Sequence, residues 1–143
     1  MVKTQRVAKE IERRRLSISV ADCSLYGLAT FKLLRLIYKN ELIKTSYVIA
    51  NQREIVNTLG VDSNVFNLDS HLKITEEIVK KLQKKSNTDL AVVVYGSFPT
   101  ATIGLMYKGR VFLERCGESS NMDTYREVVQ NKLIDFIDKI INE

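Results

Sequence analysis

The sequence predicts an α/β domain, a three-layer α/β/α sandwich with a mixed central sheet, and three observations carry that expectation. Early in the chain the apolar residues switch between a period of two and a period of three to four, so strands and helices alternate. Residues 89–95 include Leu-Ala-Val-Val-Val, a continuous apolar run suited to a central strand buried on both faces. Late in the chain, two strand-like runs flank Lys108-Gly109, as in a tight hairpin. Alternation followed by a hairpin is most economically a mixed sheet covered on both sides by helices.

Each element has its own signal. Residues 4–16 read as a polar helix, with Val7 and Ile11 four apart. Residues 17–22 alternate polar and apolar, as a strand does. Residues 24–38 read as a helix that is apolar nearly all round and must be covered on most sides. Residues 44–50 are β-rich, and residues 51–59 form a short helix stopped by Gly60. A loop over 62–70 precedes a helix whose face is Ile74, Ile78 and Leu82, running to about Ser86 with Thr75 as its expected N-cap. After the central strand, residues 102–107 and 110–115 form the hairpin, where Gly109 supplies the positive φ. Tyr125, Val128, Val129, Leu133, Phe136, Ile137, Ile140 and Ile141 then mark a final helix.

Composition narrows the function classes. The 143 residues, 45% hydrophobic and 27% charged, fit one globular domain over 1–143, with no low-complexity linker and no solenoid repeat. The greasiest stretch, residues 25–38, is broken by Lys32 and Arg35, so no membrane span is expected. The N-terminus leads into charged sequence rather than an apolar signal core. Cys23 and Cys116 lie far apart, and His71 is the only imidazole. Neither a zinc site nor a disulfide framework follows, and the cytoplasm is the expected compartment. No metal or cofactor is expected. Net charge is +5, yet the clusters at 13–15 and 80–85 fall in helices, where charge runs are usually solvated faces. With no recognisable binding motif, a nucleic-acid partner is not expected.

The candidate site is the turn from Asp22 to Gly27, where a strand feeds a helix. Backbone N–H groups at a helix start attract phosphate or carboxylate and favour a thiolate. A nucleophile placed there, Cys23 or Ser24, is exposed and electrostatically assisted. The plainer reading has Ser24 capping the helix and Cys23 as a small buried residue.

Residues 21–28, Ala-Asp-Cys-Ser-Leu-Tyr-Gly-Leu, resemble the Ala-Glu-Ser-Cys-Thr-Gly-Gly-Leu turn of the CinA C-terminal domain, the nicotinamide mononucleotide amidohydrolase family. Residues 47–61, Tyr-Val-Ile-Ala-Asn-Gln-Arg-Glu-Ile-Val-Asn-Thr-Leu-Gly-Val, are similar to that family's segment ending Tyr-Ser-Asn-Glu-Ala-Lys-x-x-Leu-Leu-Gly-Val. Residues 71–77, His-Leu-Lys-Ile-Thr-Glu-Glu, resemble His-Gly-Ala-Val-Ser-Glu-Glu, and residues 89–96 resemble Asp-Leu-Ala-Leu-Ala-Val-Thr-Gly. Ile103-Gly104 is similar to the Val-Gly of the next family strand, and Arg126 falls near an arginine of the last helix. The series runs in unbroken order over residues 13–141.

The resemblance implies a CinA-type fold, a homodimer, and hydrolysis of the amide of nicotinamide mononucleotide to the nicotinate form with release of ammonia. It implies a serine nucleophile activated by a lysine; here those positions carry Cys23 and Ile55, and Ala50 replaces the segment's tyrosine. The family's Gly-rich loop corresponds to residues 95–101, where only Gly96 remains, and Tyr26 replaces a glycine of the turn. Asp22 matches the family's glutamate, and it either orients ligand hydroxyls or ends the strand and favours the helix start. Candidate ligand-binding residues are Asp22, Tyr26, Gly27, Gly96 and Ser97, with Thr100 as a further hydroxyl, and candidate catalytic residues are Cys23 and Ser24. His71 is either a rescuing base or a surface histidine at a helix start, and Cys116 is read as structural. Two readings stand: a divergent hydrolase using Cys23, or a non-catalytic descendant that binds a mononucleotide or a protein partner.

Overall fold

A computed structural model describes residues 3–37, 39–117 and 121–143. The chain runs α1 (Lys3–Arg13), β1 (Ile18–Cys23), α2 (Leu28–Leu36), β2 (Ile43–Val48), α3 (Gln52–Leu59), α4 (His71–Ser86), β3 (Leu90–Ser97), β4 (Thr100–Tyr107), β5 (Arg110–Gly117) and α5 (Met122–Ile141). The five strands form one sheet in the order β2-β1-β3-β4-β5. β2, β1 and β3 are parallel, while β4 and β5 are antiparallel additions, so the sheet is mixed.

Side-chain alternation sorts the core into two layers. Ile18, Val20, Leu90, Val92 and Val94 face α1, α2 and α5. Ala21, Ala91, Val93 and Tyr95 face α3 and α4. β3 is central, and Leu90 through Val94 are fully buried, which explains the unbroken apolar run. The chain leaves β1 for β2 through α2 on one face, then returns to β3 through α3 and α4 on the other. The carboxyl ends of β1 and β3 therefore flank the topological switch point, where clefts in open α/β sheets form.

Several boundaries differ from expectation for identifiable reasons. The second helix begins at Leu28 rather than residue 24. Tyr26 and Gly27 are both left-handed, at φ 57° and 97°, so residues 24–27 form a turn and cannot be helical. The expected end of this helix at Tyr38 lies outside the described residues. Ser70, not Thr75, caps α4, accepting from the Lys73 N–H at 3.2 Å. Thr75 is buried one turn in, its hydroxyl donating to the His71 carbonyl at 2.7 Å. The apolar stripe used to place this helix begins only after its polar first turn. The loop over 62–70 holds a short 3-10 turn, Ser63–Asn67. Asn51 and Gly60 bound α3 as N-cap and left-handed C-cap. In the hairpin Lys108 and Gly109 both take positive φ, 51° and 75°, as a two-residue turn of this kind requires.

Among the described residues, no helix is long and apolar enough to cross a membrane, and no cluster of three metal-ligating side chains occurs.

Candidate ligand-binding cleft at the ends of β1 and β3

A cleft of about 380 Å³ opens at the switch point. Of the residues singled out in the sequence, Cys23, Ser24, Tyr26, Gly96 and Ser97 line it, as does Ala50. Asp22 and Gly27 do not. Asp22 is fully buried beneath the turn, and its carboxylate is the organising group there. Oδ1 accepts from the backbone N–H groups of Ser24 and Leu25 at 3.1 and 2.6 Å. Oδ2 accepts from those of Gly27 and Ala29 at 2.9 and 3.0 Å. The N–H donors expected to meet a phosphate or an oxyanion thus already meet an internal anion. The left-handed backbone at Tyr26 and Gly27 is what folds these donors round one side chain.

Cys23 ends β1, half-buried, on the sheet face toward α3 and α4. Among the described residues its thiol hydrogen-bonds to the carbonyl of Ala21, at 4.0 Å, and no lysine or histidine nitrogen bonds to it. Burial, followed by repulsion from the Asp22 carboxylate, pushes the thiol up to about 12. The conditions that create a reactive thiolate are reversed here. Ile55, at the position of the family lysine, is 2% exposed within the apolar layer between sheet, α3 and α4.

Ser24 is held by a residue that the sequence reading placed in the core. Its Oγ lies 2.7 Å from the Tyr125 hydroxyl, which also donates to the Thr100 carbonyl at 3.4 Å. Burial raises the Tyr125 phenol, with the Ser24 hydrogen bond opposing, so the phenol stays protonated at neutral pH and is no base for Ser24. Tyr125 was legible only as part of an apolar stripe. The missed signal is that a buried phenol needs a polar partner, which marks a polar spot in an apolar layer.

Gly96 sits at φ 129°, and a Cβ there would come within 2.9 Å of the Thr100 carbonyl oxygen, so glycine is required by the tight β3–β4 connection itself. Val48, Ile49, Phe98 and Met122 supply the apolar remainder of the cleft. Arg126 on α5 is not itself a lining residue but stacks on one, Tyr26. Its guanidinium carbon lies 5.4 Å from the Tyr26 ring centroid, and its Nε is buried with no hydrogen-bond partner among the described residues. His71 is elsewhere: it opens α4, exposed, edge-on to the Tyr95 ring at 5.4 Å. Cys116 is buried, and burial pushes its thiol up to about 11.

By sequence the chain matches no protein-family model and no curated protein. By structure it is similar to the competence damage-inducible protein A of Klebsiella pneumoniae subsp. pneumoniae MGH 78578. The TM-score is 0.87 at 14% identity, over 99% of this chain and 96% of that one. It is similar also to a competence/damage-inducible protein of Agrobacterium tumefaciens, with TM-score 0.81 at 14% identity over 100% and 98% of the two chains. A CinA superfamily protein of Escherichia coli matches with TM-score 0.81 at 12% identity over 95% and 87%. The fold is therefore the CinA type, a mixed sheet between two helical layers. At these identities the likeness extends to architecture and not to chemistry.

Proposed function

We propose that the chain is a divergent CinA-superfamily domain that holds a mononucleotide-like ligand in the β1–β3 cleft without hydrolysing it. The state of Cys23 carries this reading. Amide hydrolysis needs an activated nucleophile and a proton for the leaving nitrogen. Here the thiol is pushed up to about 12 and no nitrogen base bonds to it. The neighbouring hydroxyl is tied to a phenol that stays protonated. Four N–H groups of the turn are taken by Asp22, which withdraws them from stabilising an oxyanion.

Binding keeps its own support. Arg126 presents an unsatisfied buried Nε beside the exposed ring of Tyr26, an arrangement suited to a phosphate next to a planar base. The test follows ammonia release from nicotinamide mononucleotide by wild type, Cys23→Ala and a protein-free blank. All three are expected to agree, and release by wild type above Cys23→Ala would establish the hydrolase reading instead. In parallel, nicotinamide mononucleotide is expected to raise the melting temperature of wild type and not of Arg126→Gln. No shift with wild type would end the nucleotide reading.

A homodimer across α2 belongs to the same proposal. Phe31 and Leu34 are 52% and 41% exposed on that helix, and Tyr26 before it and Val48 on β2 are 72% and 60% exposed. Sedimentation is expected to show a dimer that Phe31→Glu dissociates; a wild-type monomer would remove the idea.

A further inference from the structure

A second cavity, of about 480 Å³, lies on the α4 face of the sheet and shares no lining residue with the cleft. Its floor follows from strand register. Tyr95 on β3 pairs with Thr102 on β4, which pairs in turn with Arg115 on β5, so the three stand in a row across the sheet on one face. Its roof is the 3-10 turn and the first turn of α4, which contribute Phe66, Leu68, His71 and Leu72.

Two polar groups in this cavity are left over. Thr102 is 1% exposed, yet its hydroxyl makes no hydrogen bond among the described residues. The hydroxyl opens onto the cavity rather than being sealed in the core, so its hydrogen bond is left to water or to a ligand there. Arg115 forms no ion pair among the described residues although it lines the same space. The cavity's own carboxylate, Asp69, is already paired with Lys73 at 3.0 Å. The N-terminus of α4, a helix of 16 residues, opens here and adds positive potential. Gln52 reaches the Tyr95 hydroxyl only at 3.5 Å, so its amide is also weakly engaged.

The rest of the wall is apolar and aromatic. Phe66 and Tyr95 stand with ring centroids 6.2 Å apart, and His71 meets Tyr95 edge-on. Leu68 and Leu72, 40% and 38% exposed, line the same cavity. One cationic, hydroxyl-bearing end and one aromatic end define the complementary molecule. Its anionic group would accept from Arg115 and Thr102 while a flat apolar body contacts Phe66 and Tyr95.

We infer that this cavity is a binding site for a small aromatic carboxylate, separate from the Cys23 cleft. The inference does not depend on what that cleft binds or does.

The experiment is an amide-detected NMR titration with benzoate. Benzamide serves as the neutral isostere and inorganic phosphate as an anion without a ring. Benzoate is expected to shift Thr102, Arg115 and His71 saturably, with both comparison molecules at least about tenfold weaker. Arg115→Gln, at an exposed residue, is expected to weaken benzoate about tenfold, and the near-isosteric Thr102→Val several-fold. Cys23→Ala and Arg126→Gln are expected to leave it unchanged, which separates this site from the cleft. No saturable shift at about 10 mM benzoate, far above useful affinity, overturns the inference. So does equal binding of benzamide, indifference to Arg115→Gln, or shifts confined to Gly96 and Ser97.

Discussion

The carboxyl end of β1 and the floor shared by β3, β4 and β5 lie side by side in the sheet, and they handle polar groups in opposite ways. At β1 a motif-like turn carries a thiol, a hydroxyl and a helix start, yet four of its N–H groups and its hydroxyl are already paired within the fold. Asp22 takes four N–H groups, Ser24 has Tyr125, and the thiol is kept neutral. Across β3 to β5 no motif advertises a site, yet Thr102 and Arg115 are left without partners among the described residues. The contrast teaches that a nucleophile at a helix mouth is weaker testimony than unsatisfied polar groups facing a cavity. Chemistry needs donors and acceptors that are free to change partners, and the β1 turn has spent its own on folding.

The sharpest way to break this comparison is to remove Asp22. If its carboxylate organises the turn, Asp22→Ala strands four N–H groups around a buried vacancy. The expected loss is about 3 kcal/mol or more of unfolding free energy, since charged hydrogen bonds are worth about 1.5–3 kcal/mol each and buried donors are costly to orphan. Denaturant melts measure it directly. A loss below about 0.5 kcal/mol, the size of an ordinary surface substitution, would show that the donors are not committed to Asp22 and are available to a ligand.

The second contrast concerns protons. The Cys23 thiol is raised from an ordinary 9.0 to about 12, so the folded protein holds that proton after the unfolded chain has released it. The linkage sign is then fixed: stability from this group is intact below pH 9 and falls as pH rises from about 9 towards 12. Alkylation of Cys23 in a Cys116→Ala background is expected to stay slow through pH 8 and to climb only in strong alkali. In urea the same thiol should label with an ordinary thiol profile. Rapid labelling of the folded protein near neutrality would mean an active thiolate and would return the β1 turn to the catalytic reading.

Much of the fold was legible because periodicity is local. The two-residue period of β1, the unbroken apolar run of β3, the Lys108-Gly109 turn and the stripe of α5 all name their elements without tertiary knowledge. The beginnings of α2 and α4 were less legible. The first depends on a carboxylate folding back over seven residues to Ala29, and the second on Ser70 capping a first turn that has no apolar face. The cleft was half legible: Cys23, Ser24, Tyr26, Gly96 and Ser97 do converge. Tyr125 was hidden inside an apolar stripe. The row Tyr95, Thr102, Arg115 was invisible, because it exists only once the register of three strands is set, and register is a non-local property.

Tyr26 supplies the smallest and most discriminating effect. Its backbone is left-handed at φ 57°, where the resembling family carries glycine, and its ring is 72% exposed. A non-glycine residue in this region costs about 1–2 kcal/mol, and so exposed a ring recovers little of that by burial. Tyr26→Gly removes the strain but loosens the unfolded chain, so the net expectation is a gain of about 0.5 kcal/mol on thermal or denaturant unfolding. The substitution also withdraws the ring that stacks on Arg126. If the ring belongs to the cleft's function, stability and mononucleotide affinity move in opposite directions, the first slightly up and the second down. If both rise together, Tyr26 is an obstruction in the cleft, and the open turn of the resembling family is the better binding form.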